Sequence, residues 1–146
     1  MAALRFMLNF ATRTGHLPRQ SAQAPRLLSI LRILTAFLFL AHATQKLFGF
    51  PAGPTAHVLS LLWIAGAIEL VGGMLILVGL LTRPVAFILA GEMAVAYFRV
   101  HNRANFWPLL NRGEVTLLYC FVFLYLAAAG GGPWSIDRLR LGSRKR

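Results

Sequence analysis

Two carboxylates in this sequence stand where a carboxylate is costly. Glu69 lies near the middle of residues 58–81, a run that is otherwise apolar apart from Ser60, and Glu92 lies beside Gly91 in a second apolar stretch. An ionised side chain at the centre of a bilayer costs about 3 kcal/mol on insertion scales, so each must face protein or water and find a partner. The candidates are upstream. His42 and Lys46 are four residues apart, which puts both on one helix face, with Gln45 beside them. A bundle that turns Lys46 and His42 toward Glu69 satisfies all three groups. Two readings of that cluster stay open. A buried Lys–Glu pair can simply fix which helices pack together. Alternatively, Glu69, Glu92 and His42 line a small polar cavity that binds a quinone headgroup or passes protons.

Other chemistries have less to stand on. His42, His57 and His101 could offer axial nitrogens to haem, but no spacing selects them, and His16 falls in a basic tail. No dinucleotide fingerprint, P-loop, zinc motif or nucleophile elbow is present, and no metal site is expected. The single cysteine, Cys120, sits in an apolar run and reads as a small packing residue; with no second cysteine there is no intrachain disulfide and no redox pair.

The elements that must position these groups are apolar helices. The spacing and the breakers predict spans at about 27–47, 58–81, 85–98 and 114–129. Thr55 is the expected cap of the second, with His57 in its first turn. Residues 49–54 form a breaker-rich loop, and Thr82-Arg83-Pro84 is expected to end the second helix. Gly66, Gly72, Gly73 and Gly79 remove bulk and let neighbouring helices approach. Arg32, about one turn inside the first helix, is expected to snorkel to the headgroups. Tyr97, Arg99 and Phe106-Trp107-Pro108 suit a membrane interface. Residues 130–133 stop the fourth helix, and Trp134 anchors its exit.

Composition points the same way. Hydrophobic residues make up 58% and charged residues 13%, where a soluble domain carries about 25% charged. The net charge of +11 is carried mainly by the two ends, which fits membrane topology and anionic lipid better than nucleic acid. The expected fold is all-α, a four-transmembrane-helix bundle. It divides into a basic N-terminal tail (1–25), a membrane domain (26–137) and a basic C-terminal tail (138–146). The tails and the 82–84 turn hold most of the Arg and Lys, so both termini are expected in the cytoplasm. Residues 3–12 could form an amphipathic surface helix. The acid-free N-terminal stretch also imitates an organellar transit peptide.

Several segments together resemble the DoxX family of small four-helix membrane proteins. They are Ala-His-Ala-Thr-Gln-Lys-Leu-Phe-Gly at 41–49, Glu-Leu-Val-Gly-Gly at 69–73 and Gly-Leu-Leu-Thr-Arg at 79–83. Phe-Trp-Pro-Leu-Leu-Asn-Arg-Gly-Glu at 106–114 and Gly-Pro-Trp-Ser-Ile-Asp at 132–137 complete the set. Arg112 departs from the family's usual Asn-Gly-Gly-Glu, and the long basic N-terminal extension is not part of the pattern. The resemblance implies a multi-pass protein of the bacterial inner (plasma) membrane, associated with redox metabolism or oxidative stress. Name-giving relatives resemble subunits of a thiosulfate:quinone oxidoreductase, and most members have no assigned reaction. Three readings follow. The chain is a small membrane subunit serving a soluble redox partner, a quinone-interacting oxidoreductase subunit, or a small proton-coupled carrier that would need a homo-oligomer. Membrane lipid is a partner in each, and whether the chain is itself an enzyme stays open. With no metal or flavin motif, an enzyme reading needs quinone or a partner to carry electrons.

Overall fold

The structure, a computed structural model, describes residues 23–101 and 105–143. The proposed surface helix at 3–12, His16, Arg103 and the last three basic residues lie outside them. Among the described residues the chain is all helical. The elements are α1 (Ala24–Phe48), α2 (Leu61–Val78) and α3 (Thr82–Ala96), which runs on as a π turn (Tyr97–His101). A short α4 (Pro108–Asn111), α5 (Glu114–Ala129) and α6 (Ile136–Ser143) follow. α1 packs chiefly along α2, and α3 along α5, so the bundle is two helical hairpins set against each other; α2 meets α3 less extensively, and α1 touches α5 lightly. The end where α1 starts and α2 and α5 finish is called proximal here, and the opposite end distal.

The bundle is apolar outside as well as inside. Phe39, Ile76, Leu89, Phe123 and Leu126 form the centre of the core, while Phe37, Val71, Phe87, Leu118 and Phe121 are more than half exposed on the outer faces. In water such a surface would drive association; it is the surface a lipid-embedded chain presents. α1 and α2 are each long and apolar enough to cross a membrane.

Several helix ends differ from the sequence expectation, each for a local reason. α2 opens at Leu61, not at 58, because Ser60 rather than Thr55 is its cap: the Ser60 hydroxyl accepts from the Trp63 amide at 3.2 Å. His57 therefore lies in the turn before α2. α2 stops at Val78, where Gly79 takes the left-handed conformation (φ 72°) and Leu80 closes the turn onto the Leu75 carbonyl. Thr82-Arg83-Pro84 consequently begins α3 rather than ending α2. A proline in a first turn gives up an amide that has no helical partner anyway, so it marks a start as readily as a stop.

Candidate functional site

Polar side chains gather at two levels of the bundle. At the proximal end Arg32 is fully buried, which corrects the expectation that it snorkels outward. The expectation overlooked its place in the inward stripe of α1, where Ser29, Arg32, Ala36, Phe39 and Ala43 recur at three- and four-residue spacing. Its guanidinium donates to four main-chain carbonyls. Nε reaches Gly131 at 2.8 Å and Nη2 reaches Trp134 at 2.6 Å, while Nη1 is shared between Ile76 and Leu77. Two of these carbonyls terminate α2 and two follow α5. Helix C-termini leave carbonyls without partners and carry the negative end of the macrodipole, so a buried cation there is satisfied in both respects. Asp137 does the complementary job. Its two carboxylate oxygens accept from the amides of Leu81 and Thr82, each at 2.8 Å, at the N-terminus of α3. Partial burial alone would raise the Asp137 pKa; the two amide hydrogen bonds, with Arg140 nearby, outweigh it and hold the carboxyl below its ordinary value. Ser29 completes the knot by accepting from the Trp134 amide.

Toward the distal end lies the predicted cluster, and the structure divides it. Lys46 Nζ donates to Glu69 Oε1 at 2.5 Å, joining α1 to α2. Glu69 is 1% exposed, whereas the Lys46 side chain keeps 26% of its surface. Close approach of the two helices makes the pair possible: a side chain on Gly66 would meet Lys46 Cβ at 3.1 Å, and one on Gly73 would meet Leu40 at 2.8 Å. Gly72 gives the corresponding room to Leu89 of α3, while Gly79 acts in the proximal turn. Glu92, on α3, comes within electrostatic reach of both Glu69 and Lys46. One oxygen of Glu69 and both oxygens of Glu92 are buried with no hydrogen-bond partner among the described residues.

His42 and Gln45 are not brought into this group. His42 is exposed and meets Tyr119 of α5 edge-on at 5.8 Å between ring centres. Gln45 turns into the α1–α2 loop, donating to the Ala52 carbonyl at 2.6 Å, and the Ala56 amide folds that loop back onto the Lys46 carbonyl. Among the described residues no three His, Cys, Asp or Glu side chains gather as a metal site. Cys120 is buried in the core. His101 bridges the Asn111 carbonyl and the Thr116 hydroxyl at the distal rim. Asn111 there orders the turn that contains Arg112, accepting from the Gly113 amide and donating to the Asn105 carbonyl. Arg112 itself holds a left-handed conformation (φ 59°).

The site therefore consists of one ammonium and two carboxylates in an apolar interior, with acceptor atoms to spare. An ionised carboxylate can only accept, so the arrangement can take up a proton or hold a group that donates hydrogen bonds.

Comparison with known proteins adds the following. The DoxX family model matches residues 27–102. An "Uncharacterized protein" of Haemophilus influenzae is 43% identical over 120 residues, covering 77% of this chain and 90% of that protein. An "Uncharacterized membrane protein" of Mycobacterium tuberculosis is 29% identical over 146 residues, covering 84% and 86%. A Bacillus subtilis protein named "Putative oxidoreductase CatD" is 27% identical over 113 residues, covering 74% and 82%. No solved structure matches the chain.

Proposed function

The chain belongs to the DoxX family, and from that premise we propose that it is a multi-pass inner-membrane subunit serving redox or oxidative-stress metabolism. In this reading four helices (α1, α2, α3 with its π turn, and α5) cross the bilayer, and both termini lie in the cytoplasm. The basic residues support that orientation. Arg83, Arg138 and Arg140 are exposed at the proximal end, next to tails rich in arginine. Those tails would also dock an acidic soluble partner or anionic lipid.

One observation carries a redox role over simple packing. A pair kept only to register helices needs one carboxylate for one ammonium, yet Glu92 lies within electrostatic reach of Glu69 and Lys46, and three buried carboxylate oxygens lack partners among the described residues. Burying such atoms without partners is unfavourable by several kcal/mol, so a ligand or a proton belongs to the arrangement. The Bacillus subtilis relative's name supports redox chemistry as the context. The more specific form of the proposal is that the site takes a quinone headgroup, with Lys46, Glu69 and Glu92 holding it and exchanging its protons.

The test is purification from native membrane in mild detergent, followed by extraction of lipid-soluble quinones and identification of co-purifying chains. Stoichiometric quinone that disappears in Glu69→Gln supports the quinone-binding form. A quinone-free protein carrying a soluble redox enzyme supports the subunit role alone. Protein that emerges alone and empty overturns both.

A further inference from the structure

The two members of the Lys46–Glu69 pair are unequally placed. The Glu69 side chain keeps 2% of its surface and that of Lys46 keeps 26%. Glu69 lies in the middle of α2, whereas Lys46 lies in the last turn of α1, just before the Gly49 cap. The Lys46 main chain belongs to the distal rim, where its carbonyl accepts from the Ala56 amide. Its side chain therefore runs from the rim into the interior and ends at Glu69 Oε1.

The proximal direction is closed. Phe39, Ile76, Leu89, Phe123 and Leu126, drawn from α1, α2, α3 and α5, are each at most 1% exposed. Phe39 meets Phe123 edge-on at 4.8 Å between ring centres, which fills the side where α1 touches α5 only lightly. Leu40 and Leu89 pack onto Gly73 and Gly72 and fill the sides facing α2. Ile76 follows Glu69 by seven residues, about 10 Å along the helix, and its carbonyl already receives Arg32. A proton approaching from the proximal end thus meets a fixed buried guanidinium and then about 10 Å of close-packed apolar side chains. The charge repels it, and an apolar layer holds no water to carry it.

We propose that Glu69 exchanges protons with the distal side of the membrane only, and that Lys46 is the relay. This rests on the reading of the pair as chemistry rather than helix registry, and adds the side it serves and the group that serves it. In the step, Lys46 Nζ gives the proton of its hydrogen bond to Glu69 Oε1, so ammonium and carboxylate become amine and carboxylic acid. The neutral amine leaves the pair, turns on its flexible four-carbon stem to the rim and takes a proton from water there. The net change is one proton and one positive charge taken up, and the reverse sequence releases them. Other titratable groups face the pair from the neighbouring helices. Glu92 of α3 lies three residues distal of Leu89, as Glu69 lies three residues distal of the Gly72 that Leu89 packs on. Tyr119 of α5 borders Glu69, with His42 of α1 against its edge. One-sided access suits a reaction that takes or releases protons at one face; a carrier needs access to both.

The experiment places the full chain in proteoliposomes of one orientation, with pH set separately on each side. Dicyclohexylcarbodiimide enters through lipid and modifies a carboxyl only when it is protonated, and mass spectrometry reads Glu69 apart from Glu92. Lowering the distal pH from about 8 to about 6 is expected to speed modification of Glu69 at least about tenfold, and the same change on the proximal side is expected to leave it unaltered. Lys46→Arg keeps the cation but cannot give up a proton, so it is expected to abolish the response to distal pH; a merely structural cation would leave the response in place. A response to proximal pH overturns the one-sided access and leaves the pair as chemistry. A full response in Lys46→Arg overturns the relay. Modification that responds to neither side overturns proton exchange itself and returns the pair to helix registry. Glu69→Cys decides the matter if Glu69 takes no carbodiimide. In a Cys120→Ala background, which removes the single natural cysteine, silver ion in chloride-free buffer is expected to block that thiol from the distal side only. Block from the proximal side overturns the one-sided access, and a thiol unreactive from both sides overturns the exchange.

Discussion

The proximal and distal halves of the bundle bury charge in opposite ways. At the proximal end Arg32 spends its donors on four main-chain carbonyls, and Asp137 spends both oxygens on two amides. Each charge meets a helix end of complementary sign, and the chain itself supplies the partners. In the distal half Lys46 and Glu69 pair side chain to side chain, Glu92 lies within electrostatic reach, and three carboxylate oxygens have no partner among the described residues. Among the described residues the comparable orphan at the proximal end is Thr82 Oγ1, a neutral hydroxyl. The difference separates two uses of buried polarity. A charge saturated by main chain holds elements in place, and a charge left unsaturated is available to something else.

Substitutions can test that division, beginning with the largest effect. Arg32→Met leaves the carbonyls at the ends of α2 and α5 without donors and should destabilise the protein by on the order of 3–5 kcal/mol. The expected outcome is loss of folded protein from the membrane, read by accumulation and thermal unfolding in detergent. If Arg32→Met accumulates and unfolds normally, the proximal knot is not structural.

The Lys46–Glu69 pair should behave differently. Glu69→Leu alone strands a partly buried ammonium and should lower stability by about 1–3 kcal/mol. Lys46→Met with Glu69→Leu should recover most of that loss, because an apolar pair of similar volume replaces two desolvated charges. Thermal unfolding of both singles and the double provides the cycle. Recovery of stability without recovery of function would assign the pair to chemistry, whereas a double variant as unstable as the worse single would assign it to packing.

Asp137→Asn removes a charged cap and should cost about 1 kcal/mol. The pH dependence has a defined sign. The Asp137 pKa is lower in the folded protein than in the unfolded chain, so its stabilisation is present above the ordinary aspartate value of about 3.9 and is lost as pH falls through the folded value. The stability difference between the natural protein and Asp137→Asn should therefore shrink as pH is lowered from 5 to 3. A difference that holds constant over that range would mean that the carboxylate charge is not what caps α3. The smallest effect is expected at Gly91, next to Glu92, where an added Cβ meets nothing within 4 Å. Gly91→Ala should raise stability by no more than about 1 kcal/mol, the helix-propensity gain of alanine over glycine, which makes it the control for glycines that do admit a neighbour.

How much was legible in the sequence follows the same line. The long apolar runs, the carboxylates inside them and the i,i+4 relation of His42 to Lys46 are local facts, and periodicity shows them directly. The bounds of α5 were readable because Glu114 and the glycines after Ala129 mark both ends. Arg32 was misread because a lone arginine near a helix end ordinarily snorkels; only its membership in the buried stripe of α1 distinguished it. The start of α3 was misread because Thr82-Arg83-Pro84 fits either a stop or a start, and the cap that decides between them, Asp137, lies 55 residues away.

The chain by itself therefore determined that it would be helical, apolar on all faces and burdened with two internal carboxylates, since each follows from residue type and short-range spacing. Tertiary structure alone decided which polar groups meet. Lys46 and Glu69 pair because glycines let α1 and α2 close on each other, and His42 is left on the outside by the turn of the same helix. Glu92 comes within electrostatic reach of the pair because α3 packs against α2. Separations of this kind span many residues in sequence and a few ångströms in space, and only the packing of whole helices sets them.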